Sequence, residues 1–272
     1  MGLITTFRPS EQKKAVFFQS LITMKVLVAT EKPFAKAAVD GIREIVQGAG
    51  YQMALLEKYT DTNQLLTAVQ DADALIVRSD KVTAEVVAAA PQLKIVVRAG
   101  AGYDNVDLGA CTSRGIVVMN TPGQNSNAVA ELAIGMMIFM ARNQFTPGTG
   151  TEIRGKRLGI QAYGHVGRLV GRYSLLTRMP QGATLVNTAR KEVIDEAGLV
   201  KALEERTDLK YITDIAAGNQ TALTEKFGKR VFATSKKMGA ETAEANINAG
   251  LAAARQVVGY LKDGDTKFQV NK

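Results

Sequence analysis

From Met24 onward, short β-branched runs alternate with stretches of helical period. This order points to parallel sheet, because a parallel strand must be reached by a crossover, and a helix lying on the sheet is the usual one. Strands are expected at Lys25 to Ala29, Gln52 to Leu56, Ala74 to Val77, Lys94 to Val97 and Ile116 to Met119. Helices are expected at Pro33 to Gln47, Asp61 to Gln70, Thr83 to Ala90 and Asp107 to Ser113. Pro33 suits a first turn, and Gly48-Ala49-Gly50 suits a stop. These units make a small doubly wound α/β domain. Pro122-Gly123 then interrupts the pattern. The stretch Asn127 to Asn143 is apolar on nearly every face, which predicts a helix enclosed between two domains.

A second α/β pattern starts with a strand at Arg157 to Tyr163 and turns tightly through Ala162-Tyr163-Gly164-His165-Val166-Gly167 into a helix. Further strands are expected at Ala183 to Thr188, Tyr211 to Ile215 and Val231 to Thr234. The last helix, Ala243 to Lys262, carries Ile247, Leu251, Ala254, Val258 and Leu261 on one stripe, so it packs along its length and is able to return to the first domain.

Composition removes several function classes. The longest apolar run, Leu132 to Ala141, covers about half of what a bilayer span requires, so no membrane helix is expected. A lone cysteine, Cys111, and a lone histidine, His165, cannot assemble the usual zinc or Cys/His catalytic spacings. No metal is expected, and a reducing, cytoplasmic setting is the default. The net charge of +8 fits an anionic substrate and cofactor as well as nucleic acid. The basic residues are scattered and no nucleic-acid-binding motif accompanies them, so nucleic acid is not the expected partner. Residues 1–23 show neither a long apolar core nor a small-residue cleavage pattern, and Met24 reads as the natural start; an organelle-targeting segment is the alternative.

A glycine-rich turn between strand and helix lets backbone amides approach a pyrophosphate at the positive end of the helix dipole. The turn here reads A-Y-G-H-V-G, with Ala162 where the first glycine of G-x-G-x-x-G would stand. An ordinary strand-turn-helix stays open as the alternative. The acidic residue expected roughly twenty positions later to hold a ribose is missing, for that region reads Gln181-Gly182-Ala183-Thr184-Leu185-Val186.

Five ordered blocks resemble the D-2-hydroxyacid dehydrogenase family: VRAGAGYDNVD at 97–107, NTPGQNSNAVAEL at 120–132, GKRLGIQAYGHVG at 155–167, LVNTARKEVID at 185–195 and KMGAETAEAN at 237–246. The resemblance implies two doubly wound Rossmann-like domains. Residues 24–121 with 243–272 would form the substrate-binding domain, 122–242 a truncated nucleotide-binding domain, and 1–23 an extension. It implies NAD as cofactor, hydride transfer to and from a small anionic D-2-hydroxy acid, and a homodimer. It is nearest to the branch that converts 3-phosphoglycerate to 3-phosphohydroxypyruvate for serine biosynthesis.

Carried over by position, Arg190 matches the active-site arginine, whose guanidinium fork suits a carboxylate and its neighbouring carbonyl. Lys237 falls where the family has its acid/base histidine, with Lys236 as the one-residue-shift alternative. Asn219 stands where the glutamate partner of that histidine is expected. Arg78 and Ser79 match a substrate-contacting pair, Gly100, Ala101 and Gly102 a carboxylate-holding turn, and Asn125 a loop position beside the substrate. Ala162, Gly164, His165, Val166, Gly167, Thr188, Ala189, Asp214, Gly239 and Ala240 are the implied cofactor contacts. His165 is read as a backbone amide donor in the phosphate turn rather than a catalyst.

The pattern breaks after Gly167. GHVGRLVGR runs straight into YSLLTRMPQGATLVN, which resembles a much later helix-strand unit, so on the order of sixty residues of a complete doubly wound domain are missing near Arg172. Three readings follow: a dehydrogenase, a catalytically impaired remnant that serves in binding, or a gene-model error that hides an intact enzyme. An NAD(H)-sensing binding protein of the same fold is a further alternative.

Overall fold

The computed structural model describes residues 23–154, 156 and 182–272. The first half alternates β1 (Lys25–Thr30), α1 (Lys36–Gly48), β2 (Gln52–Glu57), α2 (Thr62–Ala68), β3 (Ala74–Val77), α3 (Ala84–Ala89), β4 (Ile95–Arg98), α4 (Leu108–Ser113) and β5 (Val117–Asn120). The five strands are all parallel, in the order β2-β1-β3-β4-β5. Strands β1, β3 and β4 are apolar on both faces because each face is roofed by helices, whereas the edge strand β2 leaves Gln52 and Leu55 exposed. Leu27, Leu75, Val96 and Val118 point to one side, where they meet Leu65, Val86, Val87 and Cys111 of α2, α3 and α4. Val26, Val28, Ile76 and Val97 point to the other, against Ala38, Ile42 and Val46 of α1.

Side chains that accept from backbone N–H groups set three helix starts: Asp61 from Asn63, Thr83 from Val86 and Asp107 from Ala110. Strands β4 and β5 each begin one residue later than the sequence predicts and end one later, on Arg98 and Asn120. Both strands therefore deliver a polar side chain to the edge of the sheet.

A long helix, α5 (Ser126–Ala141), leads to the second half, which holds β6 (Thr184–Asn187), α6 (Glu196–Glu205), β7 (Lys210–Thr213), α7 (Gln220–Phe227) and β8 (Val231–Ala233). Among the described residues its sheet is parallel, in the order β6-β7-β8. Leu199 and Leu203 of α6 and Leu223 and Phe227 of α7 pack on one face around Tyr211. Helix α5 covers the other face, with Ala130 and Ala133 against Val186, and Met136 and Met140 against Ile212. It is not enclosed on all sides as its composition predicts, for Ile138 remains 39% exposed. The strand expected at 157–163 and the glycine turn lie outside the described residues. Helices α6 and α7 are additions to the elements that the sequence points to.

The last helix, α8 (Ala243–Asp263), returns to the first half through a face offset from the expected stripe, laying Ala249, Ala253, Ala254 and Val257 on the side that α1 also covers, while Ile247, Leu251, Val258 and Leu261 are only partly buried. After it, the Asn271 side chain accepts from the Val118 amide at 2.8 Å and donates to the Ile116 carbonyl at 2.8 Å, tying the tail to β5.

Ile42 is completely buried between α8 and the sheet. Ile42→Ala is expected to cost about 3 kcal/mol, through lost apolar burial and a residual cavity. Val193→Ala, at a position 53% exposed, is expected to change stability by less than about 0.5 kcal/mol. Denaturant unfolding followed by circular dichroism distinguishes the two.

Candidate active site

In sheets of this kind, ligand crevices form outside the carboxyl ends of the strands. On the first half that edge carries Arg78 at the end of β3 and Arg98 at the end of β4. Arg98 turns back beneath the next turn, its Nε donating to the Arg78 carbonyl at 2.8 Å. Gly100 adopts φ +154°, and a Cβ there would stand 1.6 Å from Arg98 Nη1. Glycine is thus required both for the backbone angle and for the space. The turn is strapped down by the Asn120 amide on the Ala101 carbonyl at 2.6 Å, and by the Asn105 amide on the Asp80 carbonyl at 2.7 Å.

On the second half, Asn187 ends β6 and folds the chain over itself. Its Oδ1 accepts from the Ala189 amide at 3.0 Å and its Nδ2 donates to the Arg190 carbonyl at 3.0 Å. This reversal aims Arg190 at the first half, where Nη2 donates to Asp104 Oδ1 at 3.0 Å. The guanidinium lies against Gly102, where a Cβ would stand 2.6 Å from Nη2. One turn of the first half and one of the second therefore meet through an arginine resting on a bare Cα.

Asp214, just past β7, is fully buried. Its carboxylate accepts from the Met238 amide at 2.8 Å, the Gly239 amide at 2.8 Å and the Thr234 hydroxyl at 3.0 Å. These bonds fold the segment after β8 so that Lys237 faces Arg190. Between the halves lies a cleft of about 360 Å³, bordered by Asp104, Arg190, Asp214, Thr234, Lys236 and Lys237.

Partial withdrawal of its ammonium from water, followed by the Arg190 cation, lowers the Lys237 pKa from the ordinary lysine value; Asp104 and Asp214 oppose this, and Arg98 adds to it. Burial, the Arg78 cation and the Arg190 cation lower the Arg98 pKa, against Asp104. Its own backbone N–H and the Arg190 and Arg98 cations hold the Asp104 carboxyl below the usual carboxylate range. The cleft gathers the cations Arg190, Lys191, Lys236 and Lys237 against three carboxylates: Asp104, paired with Arg190, the buried Asp214 and the exposed Glu192.

The structure brings Arg190, Lys237, Gly102 and Asp214 together, and Lys236 lines the same cleft. Asp214 spends its carboxylate on the segment that carries Lys237. Thr188 and Ala189 sit in the Arg190 turn, and Gly239 is packed between Asp214 and Val129 with Ala240 beside it. Arg78 is not among the residues that border the cleft. Its Nη1 donates to the Lys32 and Pro33 carbonyls at 3.3 and 3.2 Å, its Nη2 donates to Asn246 Oδ1, and its guanidinium stacks 5.3 Å from the Phe34 ring centre. Ser79 beside it is exposed. Asn125 stands at the N-terminus of α5, where its carbonyl accepts from the Val129 amide. Asn219 precedes α7, and the carboxylates that act on Lys237 are Asp104 and Asp214. Ala162, Gly164, His165, Val166 and Gly167 lie outside the described residues. Arg98 and Asp104 were missed from the sequence, although an arginine ending an otherwise apolar strand was a usable signal.

Asp214→Ala is expected to cost about 2 kcal/mol, because it strands the buried Gly239 amide and frees the partly buried Met238 amide, and to release the segment that carries Lys237. Thermal unfolding reads the first effect; a sharp rise in proteolytic cleavage between 234 and 240 reads the second.

The family model for "D-isomer specific 2-hydroxyacid dehydrogenase, catalytic domain" matches residues 27–271. D-3-phosphoglycerate dehydrogenase of Homo sapiens is 44% identical over 142 residues, which cover 47% of this chain and 26% of that protein. The Mycobacterium tuberculosis H37Rv protein of the same name is 30% identical over 267 residues, covering 72% of this chain and 51% of that one. The chain therefore spans between about a quarter and a half of the length of these curated relatives. In the second comparison, 72% of 272 residues is about 196, so about seventy of the 267 aligned positions have no residue in this chain. A crystal structure of NAD+-bound 3-phosphoglycerate dehydrogenase from Entamoeba histolytica superimposes with a TM-score of 0.82 at 43% identity, covering 92% of this chain and 99% of that one. D-lactate dehydrogenase from Escherichia coli shares the fold, with a TM-score of 0.69 at 18% identity over 91% of this chain and 100% of that one. The chain belongs to the D-isomer specific 2-hydroxyacid dehydrogenase family.

Proposed function

We propose that this chain interconverts a D-2-hydroxy acid and its 2-oxo acid by hydride exchange with NAD, 3-phosphoglycerate and 3-phosphohydroxypyruvate being the pair best supported by its relatives. The observation that carries the reading is the convergence of Arg190 and Lys237, delivered by turns 47 positions apart in sequence, on one cationic cleft. Arg190 has a planar fork suited to the substrate's carboxylate. Gly102 leaves the room in which the Arg190 guanidinium lies.

The nicotinamide end of the cofactor is assigned to the cleft beside Arg190 and Lys237. Thr188 and Ala189 precede Arg190 in its turn, and Gly239 and Ala240 follow Lys237 in its segment, so the resemblance assigns them to the nicotinamide. The glycine turn at 162–167 is proposed for the pyrophosphate. Bound there, NAD(H) supplies or accepts the hydride at the substrate's C2.

In the reducing direction the Lys237 ammonium gives its proton to the substrate oxygen as C2 gains hydride, leaving a neutral amine and a hydroxy acid. In the oxidising direction the amine takes the hydroxyl proton as C2 loses hydride. Only a lysine with a lowered pKa has enough neutral amine to serve as a base near neutral pH, and partial desolvation beside Arg190 lowers it. The sign follows: kcat/KM for oxidation rises with pH through the Lys237 pKa, below the ordinary lysine value of about 10.4, and kcat/KM for reduction falls through the same value. Lys237→Ala is expected to lower turnover by about 10²- to 10⁴-fold and to erase that limb, whereas Lys236→Ala retains both. Arg190→Ala is expected to act on KM as well as kcat. Steady-state kinetics with 3-phosphohydroxypyruvate and NADH decide; a Lys237→Ala chain with normal turnover overturns the assignment.

A second reading is favoured by the roughly seventy alignment positions without a residue here, and by the missing acidic ribose anchor. In this reading the shortened second half binds cofactor weakly and the chain is an impaired or NAD(H)-sensing member of the family. Cofactor binding without turnover supports it. The homodimer expected of the family is supported by apolar side chains left exposed on and after α5: Ile138, Phe145 at 69% and Ile153 at 46%. Among the described residues no helix is long and apolar enough to cross a membrane.

A further inference from the structure

Asp104 is the carboxylate nearest to Arg190, and its placement is unusual for a cleft meant to receive an anion. It lies on the first half, directly after the Gly100–Gly102 turn, and its Oδ1 takes the Arg190 Nη2 edge at 3.0 Å. No other hydrogen bond of the Arg190 guanidinium is found among the described residues. The two partners are 86 positions apart and belong to different halves, so the pair bridges the mouth of the cleft. Arg98 and Lys237 also feel the Asp104 charge.

We infer that Asp104 is an internal counter-anion: in the ligand-free chain its carboxylate occupies Arg190, and the carboxylate of an incoming substrate takes its place. The inference rests on reading Arg190 as the substrate's clamp. Exposure decides between a placeholder and a permanent support. The Asp104 side chain is 74% exposed and that of Arg190 47%, so both solvate readily once separated, and an exposed ion pair of this kind contributes little stability. A 2-oxo acid offers more to the same guanidinium: a carboxylate and an adjacent carbonyl that match both edges of the fork. While the cleft is empty, the Asp104 charge also offsets those of Arg98, Arg190 and Lys237. Asp104 thereby sets a threshold that favours ligands with a carboxylate beside a second acceptor over simple monovalent anions.

The test uses oxamate, whose carboxylate and adjacent carbonyl imitate a 2-oxo acid but cannot be reduced, titrated by calorimetry into the full chain with and without NADH. Asp104→Asn is expected to tighten oxamate binding by about three- to fivefold, the scale of an exposed ion pair. Asp104→Glu is expected to restore the parent affinity, and Asp40→Asn, an equal charge change on α1, to leave it unaltered. Carbon-13 NMR of the Asp104 carboxyl separates displacement from a mere change of field: on adding oxamate its resonance is expected to move to the position it holds in Arg190→Ala. Weaker or unchanged binding in Asp104→Asn, a resonance that stays in place, or no oxamate binding with or without Asp104, each overturns the inference. An inactive chain whose Asp104→Asn variant binds oxamate more tightly upholds the placeholder and removes the catalytic reading; an active chain whose variant binds more weakly does the reverse.

Discussion

The contact between the Arg190 guanidinium and the bare Cα of Gly102 is the constraint to which the rest of the site answers. A Cβ at Gly102 would stand 2.6 Å from Nη2, and one at Gly100 would stand 1.6 Å from the Arg98 guanidinium. Two arginines from different halves thus close on the same short turn, where Gly100 supplies the backbone angle and Gly102 the room for the Arg190 guanidinium. The parallel sheets explain why the turn is available: in both halves the strands run the same way, so their carboxyl ends and the loops that follow collect on one edge. The apolar interiors hold those edges at fixed separation, while the last helix, packed back on the first half, closes the chain around the cleft.

Within that frame the chemistry is a problem of charge. Lysine in place of a histidine would ordinarily be too basic to accept a proton near neutrality. Here the surroundings work in the needed direction, since partial desolvation and the Arg190 cation outweigh the two aspartates. The Asp214 carboxylate is spent on the Met238 and Gly239 amides and the Thr234 hydroxyl, so it shapes the lysine's segment while adding only a modest opposing charge. Asp104 sits at the rim, solvated and exchangeable.

Much of this was legible in the sequence because parallel strands and their covering helices are local patterns. The alternation of Leu27 and Ala29 with Val26 and Val28 marks a strand buried on both faces, and the stripe on the last helix foretells its return to the first half. Arg190 and Lys237, which border one cleft, stand in short motifs that single them out in the sequence. Arg98 and Asp104 were not legible in this way, because their roles arise from partners far away in sequence and from a turn whose backbone angle is not written in residue types. The apolar helix α5 misled in the other direction: composition reports how apolar a face is, not what covers it, and Ile138 stays exposed. The break expected after Gly167 is read from the motif alone, and against the mycobacterial relative about seventy aligned positions have no residue in this chain.

Whether a second half shortened in this way still holds a dinucleotide decides between a working dehydrogenase and a family member that has lost its chemistry. Calorimetric titration of the purified chain with NADH, with circular dichroism establishing that the chain is folded, tests this most directly. Saturable binding at one site per chain is the result predicted. A folded chain that takes up no NADH would contradict the account, because Arg190 and Lys237 would then face a cleft with no hydride to move.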